Sequence, residues 1–298
     1  MTAKDEIARL IDILSEYECG HLLAAFQQVA AGERFWELEI SAVYNEHVKT
    51  RLLDTGQGTD DVVPAGPHEE HGIFAPIPIV KSYPGAERIT LPSPRALNAS
   101  VGETLLQRRS RRDYTGAAID QEQLATLLHY ACGVTGSLAG YGYRHLPLRT
   151  FPSSGGLQAP EVYLSIQAVT DIAPGLYHYH PIDNVLESMR PGQHGSMLAA
   201  LSFQQPYLAT ASVVFLITGC FERMRWKYGQ RAYKYMCMDV GYLGQNLYLV
   251  AEAMGLGACA IAGFVDDAME QLLEIDGRNE MILFLTTVGA LCDPTPQL

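Results

Sequence analysis

Residues 229–254 constrain the fold more than any other stretch. Val240, Leu243, Leu247, Val250 and Ala251 recur at helical spacing on one side, and Ala253, Met254 and Leu256 extend the apolar character around it. A helix that is apolar over so much of its circumference has to be buried, so the rest of the chain must wrap it. Gly255 and Gly257 stop it, and ACAIAG (258–263) then reads as a strand.

The wrapping is legible in pieces. VVFLITG (213–219) is a continuous apolar run and reads as a central strand, whereas Val162, Leu164 and Ile166 alternate as in a half-buried one. GLYHYHPIDNVLESMR (175–190) reads as two strands around a turn at 181–184, and MILFLTTVG (281–289) as the last strand. Asp120 with Gln123 forms a capping box ahead of Leu124, Leu127 and Leu128, and Asp267 with Glu270 is expected to box the helix before the final strand. Ile7, Leu10, Ile11 and Leu14 give residues 5–30 a helical face. Residues 52–100 hold seven of the sixteen prolines and are expected to run as an extended, surface-hugging connection. The expected division is a helical and proline-rich extension over 1–100 and a compact domain over 101–298. Helices mixed with hairpin-like and separated strands give the class α+β, a mixed or antiparallel central sheet flanked by helices around the long buried one.

Composition excludes several functions. A net charge of −12 argues against a nucleic-acid surface, which needs clustered Lys and Arg. No stretch approaches the length of a membrane span, and the charged, periodic N-terminus does not read as a signal peptide. The six cysteines include no CxxC pair and read as free thiols, so a cytoplasmic protein is expected.

Against that acidic background, RRSRR (108–112) places four arginines within five residues of a chain that has only 21 Lys and Arg. In an extended segment Arg108, Ser110 and Arg112 share one face. Two guanidinium forks and a hydroxyl suit a phosphate; the other reading is a solvated basic patch that docks a partner or ends a helix. FPSSGGLQAP (151–160) precedes a strand; its glycines admit close backbone approach to a flat ligand, or simply make a turn. It is neither a P-loop nor a nucleophile elbow. Two Lys-Tyr pairs, Lys227-Tyr228 and Lys234-Tyr235, stand at the entrance to the long helix; a lysine there serves as a base only if desolvation lowers its pKa. His178 and His180 share a strand face without a third metal ligand at recognisable spacing, and read as solvent-facing residues of a hairpin. His68, Glu69, Glu70 and His71 read as solvated, and no metal site is expected.

Taken in order, these stretches resemble the nitroreductase-like flavoproteins, and within them the SagB-type branch of azoline-oxidising dehydrogenases from peptide biosynthesis. The matching segments are LLQRRSRRDYTG (105–116), PSSGGLQAPEVYL (152–164), GLYHYHP (175–181), the run from Lys227 to Ile261, and GFVDDAMEQLLEIDG (263–277). YNEHVKT (44–50) is similar to the short segment that precedes the domain in that branch. The resemblance implies a homodimer with FMN in a cleft between subunits. Arg108, Arg109, Ser110 and Arg112 would hold the phosphate and the flavin edge, and Pro152, Ser153, Ser154 and Gly155 would line the ring, partly from the neighbouring subunit. Ala262 and Gly263 would bring backbone amides near flavin N5. Gln245 and Asn246 lie in the matching helix. It also implies a catalytic Lys-Tyr pair, and the YG context favours Lys227-Tyr228 over Lys234-Tyr235.

Two departures stand out. Many nitroreductases add a basic residue after the final strand, but here Gly289 is followed by ALCDPTPQL, which leaves more of the phosphate charge to the arginine cluster. Gly241-Tyr242 stands where the branch usually has Gly-His. The expected reaction is dehydrogenation of a thiazoline or oxazoline in a peptide or small molecule, with possible partners in a biosynthetic complex. The alternatives are an NAD(P)H-dependent nitro or quinone reductase and a non-catalytic scaffold subunit.

Overall fold

The computed structural model describes residues 77–292. The expected helix at 5–30, the YNEHVKT segment, the His68–His71 cluster and the first part of the proline-rich connection lie outside them. Seven strands form one sheet in the order β1 (Arg88–Thr90), β6 (Val185–Pro191), β5 (Gly175–His180), β4 (Pro160–Ile166), β7 (Val213–Cys220), β9 (Glu280–Gly289), β8 (Gly257–Ile261). Every neighbouring pair is antiparallel. A separate hairpin, β2 (Val134–Gly140) with β3 (Tyr143–Arg149), stands off the sheet.

The long helix, α6, runs Ala232–Ala253 after a short 3-10 turn, Gly229–Arg231. Its residues Val240, Leu243, Leu247 and Ala251 pack with α2 (Gln121–Cys132) onto Val162, Leu164, Ile166, Phe215 and Ile217 of the central strands. The opposite sheet face, with Tyr163, Val214 and Leu216, is covered by α3 (Gly195–Leu201) and α7 (Asp266–Leu273) through Leu198, Met269 and Leu273. Both faces of β4 are therefore buried along its whole length, so the expectation of a half-buried strand is corrected. The residues that alternate with its apolar ones, Glu161, Tyr163 and Ser165, do not meet water. Gly244 lets α6 approach β9, since a Cβ there would lie 2.6 Å from the Phe284 ring. Among the described residues no helix is long and apolar enough to cross a membrane.

Local signals hold where tertiary contacts leave them free. Asp120 and Gln123 close their capping box at 2.7 and 2.9 Å at the start of α2. The box expected from Asp267 and Glu270 does not form: α7 begins at Asp266 with no side-chain cap. The N–H of Val265 is bonded to the Leu201 carbonyl at 2.9 Å, which fixes Val265 as the last extended residue. Asp266 and Asp267 then occupy the first turn, where negative charge suits the helix dipole. Glu270 instead accepts a bond from the Ile282 N–H.

A second correction concerns His178, which has no solvent exposure. Its ring nitrogens lie 3.0 Å from Glu187 and 3.0 Å from Glu161. The sheet face that would be open in an isolated hairpin is covered here by Lys81, Ser82 and Tyr83. The Tyr83 ring lies tilted against the His178 ring with centroids 5.2 Å apart, and Lys81 bonds Tyr163 and Glu280. Burial pushes Glu161 up, but the Arg223 guanidinium and His178 outweigh it and hold its carboxyl at about 2. Arg223 also donates to the Pro78 and Gln158 carbonyls at 2.8 and 2.9 Å. That cluster anchors the start of α5 (Glu222–Tyr228), whose last residues are Lys227 and Tyr228.

Candidate active site

The arginine segment leaves α1 (Val101–Gln107) and runs extended along the free edge of β8. There Ser110 makes a parallel bridge with Ala258, and the Arg111 N–H donates to the Ala258 carbonyl at 2.9 Å. The extended backbone divides the cluster. Arg111 turns to one side and pairs with Glu252 at 3.2 Å. Arg109 folds back onto the carbonyls of Leu106 and Arg108, both at 2.9 Å. Arg108, Ser110 and Arg112 take tyrosine partners instead. The Arg108 guanidinium lies 5.2 Å from the centroid of Tyr248, and the Ser110 hydroxyl is 2.8 Å from the Tyr248 oxygen. That same oxygen accepts the Ala260 N–H at 2.7 Å. Arg112 lies 5.7 Å from the ring of Tyr207, on the short helix α4 (Tyr207–Thr210).

Neither Arg108 nor Arg112 forms an ion pair among the described residues, in contrast to Arg111. Two cations held beside aromatic rings, with a hydroxyl between them and no carboxylate partner among the described residues, form a donor set that fits a phosphate. Ala262 and Gly263 lie exposed just past β8, with the Phe203 ring beside Gly263.

The second half of the site is the loop after β3. Asp239, fully buried in α6, receives the Ser153 hydroxyl at 2.9 Å, the Ser154 N–H at 3.0 Å and the Ser154 hydroxyl at 2.8 Å. Burial raises its pKa, against the opposing effect of these bonds. Pinned this way, the loop presents Gly155 at φ 63°, in the left-handed region. A Cβ at Gly155 would fall on the Tyr228 hydroxyl and 3.1 Å from Lys227 Nζ. The structure thus brings Lys227, Tyr228 and Gly155 together, with Pro152 exposed at the loop's entry. Burial pulls Lys227 down, but its hydrogen bond to the Tyr141 hydroxyl and the nearby Tyr228 outweigh this, so its pKa is raised.

The other pair is placed differently. Lys234 is exposed, while the Tyr235 ring packs edge-on against Tyr228 at 4.8 Å and its hydroxyl accepts from Arg231. Gln245 is exposed on α6; Asn246 donates to the carbonyls of Ala131 and Thr150, bracing the loop's first residues. Asp239 and Tyr248 stand nine residues apart on α6, about 13 Å along its axis, so one helix carries the supports of both halves.

Asp239, Tyr248, Tyr207 and Tyr141 are the site residues that sequence reasoning missed. Asp239 was the most accessible of them, because a carboxylate inside an apolar helix needs buried donors. The tyrosines carry no such signal, since their partners are distant in the chain.

An antiparallel sheet covered on both faces by helices, one of them long and buried, defines an α+β domain. The chain belongs to the nitroreductase family, whose profile matches residues 105–290, and is by that membership an oxidoreductase. A protein of Methanocaldococcus jannaschii that carries the nitroreductase name is 30% identical over 187 residues, covering 63% of this chain and 89% of its own length. The microcin B17-processing protein McbC of Escherichia coli is 30% identical over 159 residues, which span 49% of this chain and 55% of McbC. The solved E. coli microcin synthetase McbBCD complex, with truncated pro-MccB17 bound, contains a chain that superimposes with a TM-score of 0.54 at 21% identity, covering 85% of this chain and 93% of that one. That likeness is one of fold. The McbC match supports the SagB-type branch.

Proposed function

We propose that the chain is an FMN-dependent dehydrogenase that converts a thiazoline or oxazoline ring, in a peptide or a small molecule, to the aromatic azole. The observation that carries this reading is the pair Arg108 and Arg112, left without carboxylate partners among the described residues, on either side of Ser110. These three would hold the coenzyme's phosphate, while Gly155 and its neighbours Pro152, Ser153 and Ser154 would lie along the ring and the amides of Ala262 and Gly263 would face it. Bound FMN supplies a two-electron acceptor.

The residues of the chain handle the proton. An azoline ring has an acidic Cα–H because C=N and carbonyl groups flank it, and a base must remove that proton as hydride leaves the adjacent carbon. The Lys227-Tyr228 pair would handle that proton, with the Tyr228 oxygen taking it and the Lys227 ammonium standing beside the Tyr228 ring.

The chain acts as a homodimer in this reading. Leu105 and Leu106 on α1 and Met238 and Tyr242 on α6 are exposed, Leu106 to 78%, and such a surface suits a second copy. The name of McbC, and the McbBCD complex with its bound peptide, support a peptide substrate and partners in a biosynthetic complex. Residues 1–100 would serve as an extension to an FMN-binding domain of residues 101–298, in the cytoplasm.

The test is spectroscopic. Purified protein should keep a flavin spectrum after FMN is added and the unbound coenzyme removed, and anaerobic mixing with a model azoline should bleach it. Bleaching by NAD(P)H but not by the azoline would select the reductase, and a protein that stays colourless would select the scaffold.

A further inference from the structure

The β2–β3 hairpin is not part of the main sheet, yet its turn ends at the site. Tyr141 occupies that turn with φ 50°, a conformation uncommon for a bulky residue, and Gly142 follows at φ 79°. The turn carries the phenol back to α5. Its ring meets Trp226 edge-on at 5.4 Å, its oxygen accepts a hydrogen bond from Lys227 Nζ, and Lys227 Nζ stands 4.4 Å from its ring centroid. One side chain thus offers the ammonium both an oxygen and a π face.

We propose that Tyr141 is a positioning residue that holds Lys227 as an ammonium ion beside Tyr228 and Gly155, so that the hairpin turn belongs to the site. This rests on the reading of Lys227 as an active-site group. The neighbours of Lys227 come from three elements: Tyr141 from the hairpin, Tyr228 from its own helix and Gly155 from the loop. None brings a carboxylate, and Lys227 forms no ion pair among the described residues, so phenol oxygens replace the usual counter-charge. Tyr141 is the acceptor with both contacts, and it reaches Lys227 across 86 positions of sequence.

The test uses Tyr141→Phe in the full chain, which keeps the ring and the Trp226 contact and removes only the oxygen. Amine labelling across a pH series, read by mass spectrometry, reports how readily Lys227 gives up its proton, with exposed Lys234 as internal reference. Loss of the acceptor should raise labelling of Lys227 relative to Lys234 about three- to tenfold in the mildly alkaline range. In the holoenzyme, the alkaline limb of the kcat/KM profile should move to lower pH by roughly half a unit to one unit. An unchanged labelling ratio would overturn the proposal. A raised ratio with an unmoved alkaline limb would support Tyr141 as the holder of Lys227 and count against Lys227 as an active-site group.

Discussion

The Asp239 carboxylate, with no solvent exposure in the middle of α6, accepts hydrogen bonds from both the backbone N–H of Ser154 at 3.0 Å and its hydroxyl at 2.8 Å. The carboxylate has no cation partner among the described residues, so serine hydroxyls and an amide supply the whole of its solvation. The loop and the helix are consequently one unit. Asp239→Ala leaves those donors facing a void and should cost about 1–3 kcal/mol in chemical denaturation.

The same residue predicts a pH dependence. Burial raises Asp239 above its ordinary value, so its contribution to stability is complete below the unfolded pKa of about 3.9 and is lost as pH rises through the folded one. Asp239→Asn lacks this loss. The stability of wild type relative to Asp239→Asn should therefore fall as pH rises from the acid side, and a rise in urea titrations would contradict the assignment.

Glu161 has the opposite sign. Burial pushes its carboxyl up, Arg223 and His178 outweigh that, and at about 2 it lies well below an unfolded glutamate. Its contribution is present above the unfolded pKa of about 4.3 and is lost as pH falls toward 2. Glu161→Gln leaves Arg223 and His178 buried without their shared carboxylate, and unfolding at neutral pH should show a loss of about 3–5 kcal/mol.

Gly155 and Gly156 form a matched pair of tests. Both have positive φ, 63° and 70°, so alanine at either position carries a similar backbone penalty of about 1–2 kcal/mol. Only at Gly155 does the added methyl meet Tyr228 and Lys227, whereas a Cβ at Gly156 meets nothing within 4 Å. Turnover should fall at least about tenfold in Gly155→Ala beyond whatever Gly156→Ala shows, with FMN still retained. Equal losses in the two variants would mean that strain, and not the Lys-Tyr contact, matters at this loop.

The arginines are predicted to be unequal. Arg108→Gln and Arg112→Gln each remove a charged donor worth about 1.5–3 kcal/mol, so FMN titrations should show binding weaker by roughly 10- to 150-fold. Arg109 is committed to two backbone carbonyls, and Arg109→Gln should change FMN affinity by less than about threefold.

The apolar surface on α1 and α6 gives the last test. A charge in that surface, as in Leu106→Glu or Tyr242→Glu, should shift the protein to a monomer in light-scattering measurements, because an unpaired carboxylate at a buried interface is costly.

What the sequence determined by itself was whatever depends on short-range periodicity and composition. The apolar circumference from Val240 to Ala251 required a buried helix, the run at 213–219 required a central strand, and Asp120 with Gln123 marked a helix start. The alternation of Arg108, Ser110 and Arg112 also emerged from local geometry, since an extended chain sends successive side chains to opposite faces. Tertiary structure decided the rest. It turned Arg109 and Arg111 away, buried His178 between two carboxylates under Lys81 and Tyr83, and overrode the expected cap of α7 through one bond to Leu201. It also brought Tyr141 to Lys227 and Asp239 to Ser154. Each of these depends on a partner far along the chain, and the pattern of neighbouring residues carries no information about which distant group will arrive to satisfy a buried charge or an open hydrogen bond.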